Sequence, residues 1–299
     1  MRVLGFGDNI VDRFVDRGTD YPGGNSVNVA VYARRLGLEA AYLGVFGDDG
    51  LGRFLGEAIT AEGVAVDHCV VRAGETGLSL LRVEDGDRVF LGWNGGGVTV
   101  REPLALDGGL LAYVSSFGLV HSSVYSRSES ELPKLAGLGP LVSFDLSSEE
   151  EFRTPAYLDR VCPYADLVLL SCSHLDEAGT RGLLAEAVRR GAGIALATRG
   201  VDGAIAFDGR VTLTAPALRV AGPRRIVDTM GCGDAFLAGF VVSLLRDGWA
   251  PDAPPRRRAI EGALHAGART AYEQCFVEGA FGRGRPAVAS MWRASGHEE

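Results

Sequence analysis

Lysine is all but missing from this 299-residue chain: Lys134 is the single one, so the basic complement of 30 is almost entirely arginine. A phosphate-gripping loop of the Walker A type, which ends in Gly-Lys-Ser/Thr, is thereby excluded, and Schiff-base chemistry has one candidate. Cysteine is odd in number and scattered. Cys69, Cys162, Cys172, Cys232 and Cys275 contain no C-x-x-C pair, which argues against a disulfide framework or a zinc cluster. No apolar run reaches the roughly 18 residues of a membrane span, and Asp8 and Asp12 interrupt the stretch that a secretion signal needs uncharged. The sequence predicts a soluble cytoplasmic protein. Net positive charge is absent too: at -8, the chain lacks the clustered Lys and Arg of a phosphate-backbone contact, so neither nucleic acid nor membrane is an expected partner.

What is present is the balance of a folded chain, 46% hydrophobic and 23% charged, rather than that of a disordered one. The length suits one large α/β domain or two ordinary ones. Short apolar runs bounded by Gly, Asp and Pro alternate with helical-period segments, the pattern of βαβ units feeding a mostly parallel sheet. Strands are predicted at Val3–Gly7, Ala40–Phe46, Leu141–Asp145, Leu167–Leu170 and Ile194–Thr198, and a helix at Ser26–Leu36. Two segments break the rhythm. Asp12–Asp16 and the hairpin Gly77–Trp93 around Asp85-Gly86 read as antiparallel material, either for a small lid sheet over the main domain or for an ordinary edge hairpin. The irregular Gly248–Arg258 stretch reads as a loop between helices.

The most informative stretch is Asp228-Thr229-Met230-Gly231-Cys232-Gly233-Asp234. A β-type run, Arg225–Val227, leads into a glycine-bracketed turn, and Phe236, Leu237, Phe240, Val241, Leu244 and Leu245 then give one apolar helix face. Gly231 and Gly233 allow tight backbone geometry, and the free N–H groups at the helix start suit an anion. A carboxylate at Asp234 repels a phosphate unless it serves as general base while the amides take up charge. A plain helix cap is the bland alternative for an isolated Asp, but a cap needs neither flanking glycine.

A second stretch, Tyr21-Pro22-Gly23-Gly24-Asn25-Ser26-Val27-Asn28, sets a Gly-Gly turn before a helix and offers two amides suited to a polyhydroxylated ligand, or an Asn-rich capping turn. Asp8, Asn9 and Asp12 follow the first strand, where open α/β sheets place ligands, and read as contacts for sugar hydroxyls or as solvated turn acids. The Gly5-Phe6-Gly7 turn lacks the third glycine of a dinucleotide fingerprint, because position 10 is Ile. Thr198-Arg199-Gly200-Val201-Asp202-Gly203 follows a strand and reads as a nucleotide-lining element or a plain turn.

Together, the Asp228–Asp234 stretch and the Gly23-Gly24 and Asn28 positions resemble the two signature regions of the ribokinase-like (PfkB) carbohydrate kinases, in order and spacing over almost the whole chain. The resemblance implies a three-layer α/β sandwich with a central mostly parallel sheet, in which residues 1–11, 23–76 and 98–299 form the core and 12–22 and 77–97 the lid. It implies an ATP-dependent transfer to a sugar hydroxyl, with Mg2+ on the phosphates and a monovalent cation such as K+ near Asp228 and Gly279. By the same likeness Asp234 matches the catalytic base and Gly231, Cys232 and Gly233 the anion hole, with Cys232 in place of the usual small Ala or Gly. Asp12, Gly23, Gly24 and Asn28 match sugar-contacting positions, and Asp8, by its place at the end of the first strand, joins them on the substrate side. Thr198, Gly200, Gly203 and Thr229 fall to the nucleotide. Glu177 matches the family's metal-organising glutamate, although His174 stands where its Asn-x-x-Glu motif has Asn.

Within the family, Tyr21-Pro22-Gly23-Gly24-Asn25, Asp87-Arg88-Val89-Phe90, Val120-His121, Phe144-Asp145 and Val227–Met230 are similar to the fructoselysine 6-kinase branch, which implies a sugar-amine acceptor. Ribose, fructose or a nucleoside is the alternative acceptor, and a non-catalytic sugar-binding protein the alternative class. A homodimer is expected, since exposed lid strands seek a partner.

Overall fold

The computed structural model describes residues 1–288 except 85–86, 221 and 223. The tip of the expected hairpin, Asp85-Gly86, lies outside the described residues. In chain order the first half runs β1 (Arg2–Gly7), β2 (Ile10–Phe14), β3 (Thr19–Gly23), α1 (Asn25–Arg35), β4 (Glu39–Gly47), α2 (Gly50–Ala61), β5 (Val70–Arg72), β6 (Leu78–Glu84), β7 (Asp87–Trp93), α3 (Gly97–Arg101) and α4 (Gly108–Val114). The second half runs β8 (Leu119–Ser123), α5 (Leu132–Leu135), β9 (Leu141–Asp145), α6 (Pro155–Val161), β10 (Leu167–Ser171), α7 (Glu177–Arg189), β11 (Ile194–Thr198), β12 (Ala204–Phe207), β13 (Thr212–Ala215), α8 (Cys232–Arg246), α9 (Arg257–Gln274) and β14 (Arg285–Pro286).

Nine strands form the large sheet in the order β13-β12-β11-β10-β9-β8-β1-β4-β5. Its pairings are parallel from β11 through to β5, and only β12 and β13 are added antiparallel at one edge. Side chains of successive strand residues point to opposite faces, and here both faces are apolar. Leu119, Leu141, Leu167 and Leu169 pack with Phe236, Leu237 and Phe240 of α8 and Ile260 and Leu264 of α9. Their neighbours Val120, Val142, Val168 and Leu170 pack on the other side with Leu158 of α6 and Leu184 of α7. The result is the expected three-layer sandwich.

A separate five-stranded sheet, ordered β14-β3-β2-β6-β7, stands over one end of the large one. Val11, Phe14, Tyr21, Leu78 and Leu81 turn its inner face onto Val27 and Val31 of α1 and Phe54 and Leu55 of α2. Its composition differs from a plain antiparallel lid in two ways. The central β2–β6 pairing is parallel, and Arg285-Pro286 arrives from the far end of the chain to pair with β3. No helix among the described residues is long and apolar enough to cross a membrane.

One local expectation fails. Arg225–Val227 forms no strand: Ile226 and Val227 are 55% and 44% exposed, and the segment is held where the N–H groups of Val227 and Asp228 donate to the Cys275 carbonyl. β-branched residues favour strands through packing, which this segment lacks.

Candidate active site

The parallel strands β1, β8, β9, β10 and β11 all point their carboxyl ends at one rim, where open α/β sheets carry their ligands. A cleft of about 1080 Å³ opens there, and Asp8, Asp12, Gly24, Asn28, Gly231 and Asp234 line it. Ser79, Phe90, Trp93 and Gly96, on or beside the small sheet, form one of its walls.

Each wall has a local cause. At Gly24, φ is +112° and an added Cβ would lie 2.7 Å from the Asn9 Cα, so a side chain is excluded where the backbone passes under β1. The start of α1 has no cap of its own. Instead Asp8 reaches over from the end of β1: its Oδ2 accepts from the Asn25 N–H at 2.6 Å and its Oδ1 from the Ser26 N–H at 3.3 Å. Hydroxyls of Ser26, Ser123 and Ser126 also donate to Oδ1, at 2.7, 2.9 and 2.7 Å. Asp8 faces the cleft, but its carboxylate is largely spent on fixing α1 and the loop after β8.

Asn28 sits one turn into α1 and donates through Nδ2 to Asp234 Oδ2 at 2.7 Å. Its Oδ1 is buried without a partner. Across from it, α8 begins at Gly231 in the left-handed region, φ +72°, with no side-chain cap. A Cβ there would collide with the Tyr32 hydroxyl at 2.4 Å, and that hydroxyl donates to the Ala280 carbonyl. Asp234 therefore does not cap its own helix. It is only 8% exposed yet opens onto the cleft. Burial, then the charges of Asp145, Asp8 and Asp12, push its carboxyl well above the usual range, against the Asn28 hydrogen bond.

Gly233, between Gly231 and Asp234, has open space where a Cβ would stand, with no atom within 4 Å. The first N–H groups of a helix lack carbonyl partners within it; here the Cys232 N–H donates to the Thr229 carbonyl at 3.3 Å, and the open turn sets the Gly233 backbone beside a carboxylate. Cys232 contributes its backbone to the same turn, while its Sγ lies 3.6 Å from that of Cys275. All five cysteines are free thiols.

Asp228 holds the turn from behind, its two oxygens accepting from the N–H groups of Met230 at 2.9 Å and Gly279 at 3.1 Å. Gln274 adds bonds to the carbonyls of Met230 and Gly279. Asp228 thus meets the Gly279 segment through backbone amides.

Other expected residues sit elsewhere. Gly23 is at the end of β3, where a Cβ would stand 2.6 Å from Asp12 Oδ2; its bareness makes room for that carboxylate. Thr198, Gly200 and Gly203 lie at and beyond the end of β11, around a short 3-10 turn at Gly200–Asp202, and Thr229 is exposed ahead of Gly231; none of these lines the cleft. Glu177 is in the exposed first turn of α7, ion-paired with Arg181 at 2.7 Å, and His174 contacts Arg153 at 3.2 Å. Among the described residues no group of three His, Cys, Asp or Glu side chains is placed to hold a metal ion. His121 is fully buried in β8, its Nδ1 2.9 Å from the Ser143 hydroxyl; burial lowers its pKa to about 4.

Asp145 was absent from the expected site. At the end of β9 it accepts from Asn25 Nδ2 at 2.5 Å and from the Ser147 N–H at 2.7 Å, and burial raises its pKa to about 6. Its position at a strand's carboxyl end was the available signal.

A family model described as pfkB family carbohydrate kinase matches residues 9–281. The chain belongs to this family. It is 39% identical over 287 residues to the fructosamine kinase FrlD of Bacillus subtilis (strain 168), covering 96% of this chain and 95% of that protein. It is 34% identical over 236 residues to the fructoselysine 6-kinase of Escherichia coli (strain K12), covering 79% of this chain and 86% of that protein. A crystal structure of fructokinase with bound ATP from Xylella fastidiosa superposes with a TM-score of 0.75 at 22% identity, covering 94% of this chain and 95% of that one, which shows the shared fold. The pfkB assignment agrees with the pairing of the Gly23-Gly24 turn and the α8 start across a single cleft.

Proposed function

We propose that this pfkB-family chain transfers the γ-phosphoryl group of ATP to a hydroxyl of a sugar-amine, fructoselysine to fructoselysine 6-phosphate being the reaction its relatives favour. The observation that carries the reading is the Asp234 carboxylate, fixed by Asn28 at 2.7 Å, opening onto the cleft beside the unfilled space at Gly233. A carboxylate made more basic by burial accepts the acceptor's proton, and the amides of Gly231, Cys232 and Gly233 take up charge on the transferred group. Asp12, Gly23, Gly24 and Asn28 hold the sugar, with Asp8 acting through the placement of α1. Thr198, Gly200 and Gly203 serve the nucleotide from the β11 side of the same rim, and Thr229 from the turn ahead of α8.

Magnesium in this reading arrives on the ATP phosphates, since Mg2+ keeps its waters and binds chiefly through substrate phosphates in such sites, and Glu177 is engaged by Arg181. The same reading sets a monovalent cation near Asp228 and the Gly279 segment, which the Asp228 carboxylate joins through the N–H groups of Met230 and Gly279. The small sheet, residues 12–22 and 77–97 with β14, acts as a lid that excludes water from the transferring group. Its edge strand β7 exposes Phe90 (59%), Leu91 (42%) and Trp93 (46%), which supports a homodimer.

The test is a screen of fructoselysine, fructose, ribose and nucleosides with MgATP, reading ADP release and identifying the product by NMR. Preference for fructoselysine with phosphate at the 6-hydroxyl is expected; preference for a nucleoside overturns the substrate assignment, and no turnover with any acceptor overturns the kinase reading.

A further inference from the structure

The cleft is larger than a monosaccharide requires. Its volume of about 1080 Å³ lies just above the range of about 300–1000 Å³ typical of pockets for whole drug-sized ligands. Two residues of its lining, Asn28 and Asn9, 5% and 2% exposed, each hold a buried side-chain Oδ1 with no partner among the described residues. Unpaired buried acceptors cost free energy, which a donor brought within reach recovers.

Part of the lining comes from the loops after β8 and β9 and from α6, and it is built as a row. Phe152 lies between two tyrosines, edge-on to Tyr125 with centroids 6.4 Å apart and to Tyr157 with centroids 5.1 Å apart. Each tyrosine hydroxyl donates to a glutamate: Tyr125 to Glu149 at 2.7 Å, and Tyr157 to Glu129. The Tyr125 oxygen is itself 2.6 Å from the Ser147 hydroxyl. Burial pushes the Glu149 carboxyl up, but its hydrogen bonds from Ser147 and Tyr125 outweigh that and hold it below the usual range. Two oriented anions therefore bracket an aromatic row, while the Arg160 guanidinium lies 4.8 Å from the Tyr157 ring centre. Tyr125, Glu129, Glu149, Phe152, Tyr157 and Arg160 all line the cleft.

Carboxylates beside aromatic faces suit an ammonium, and an arginine held on a ring suits a carboxylate. A simple hexose carries neither charge. A sugar-amine with an amino-acid arm carries both. We infer that the Glu149–Tyr125–Phe152–Tyr157–Glu129 row is the subsite for the charged arm of a sugar-amine, the glutamates taking cationic nitrogen and Arg160 the carboxylate. The inference rests on the sugar-amine reading above and adds the residues that separate such a substrate from a plain sugar.

Calorimetric titration of the full-length protein with fructoselysine and with fructose tests it independently of turnover. The wild-type protein binds fructoselysine more tightly, and Glu149→Gln lowers the ratio of the two affinities by about 10- to 100-fold, the range for a hydrogen bond to a charged group. Glu129→Gln, braced by the other tyrosine, gives a second reading should the first variant fold poorly. Equal wild-type affinities, or a ratio unmoved in both variants, overturns the subsite. Absence of ADP release with either sugar counts against the phosphoryl-transfer reading, whereas the affinity ratio still decides the subsite.

Discussion

The Asn28 side-chain amide donates to the Asp234 carboxylate at 2.7 Å across the join between α1 and α8, so the two signature stretches of the sequence meet through one hydrogen bond. That bond opposes the burial and the Asp145 charge that raise the Asp234 pKa. Removing it leaves the carboxyl more readily protonated. Asn28→Ala is expected to lower kcat/KM about tenfold or more at neutral pH, the scale of a hydrogen bond to a charge, and to move the acid limb of the pH profile upward. A profile with its acid limb unmoved contradicts this coupling.

Asp145 carries a second pH dependence. Burial raises its pKa from 3.8 to about 6, so in the folded state it keeps its proton longer than in the unfolded chain. Its stabilising contribution is complete below its unfolded value and is lost as pH rises through about 6. Asp145→Asn removes that loss. The Tm of the variant relative to wild type should therefore climb between about pH 4 and pH 6, the window between the two values. A difference constant with pH counts against the assignment.

The two glycine-rich stretches separate by kind. Gly24→Ala forces a side chain onto backbone at positive φ with a 2.7 Å clash, and is expected to destabilise by about 2 kcal/mol or more. Gly233→Ala enters open space inside a helix, where Ala is the better residue, so Tm should hold or rise. A raised KM for ATP in a stable Gly233→Ala variant then reports the space that a phosphoryl group fills. Loss of stability in Gly233→Ala contradicts the open-space reading.

Much of this was legible in the sequence because it rests on local rules. Alternating apolar runs gave the strands at Leu141–Asp145 and Ile194–Thr198 to the residue, since a strand buried on both faces has few ways to be written. The Gly-x-Gly-Asp turn stood out because a cap needs less. What escaped depends on contacts far apart in the chain. Asp145 is one acid at a strand end until Asn25 reaches it from 120 residues away. Arg225–Val227 has strand-like residues and no strand beside it. The part Asp8 plays in holding α1 escaped as well, because nothing local announces that three serines and two amides converge on it.

The thiol pair offers a chemical probe of the α8 start. The hydrogen bond with Cys232 holds the Cys275 thiol down to about 7, so alkylation of Cys275 should accelerate as pH rises through neutrality. Peptide mapping after iodoacetamide treatment follows it. In Cys232→Ala the midpoint should return toward the ordinary thiol range; an unchanged midpoint contradicts the coupling.

The most direct measurement is the turnover of Asp234→Asn, which preserves side-chain shape while removing the proton acceptor. With sugar and ATP binding retained by calorimetry and Tm close to wild type, kcat is expected to fall about 10²- to 10⁴-fold, the contribution of a positioned general base. A variant that binds both substrates and turns over at the wild-type rate contradicts the account.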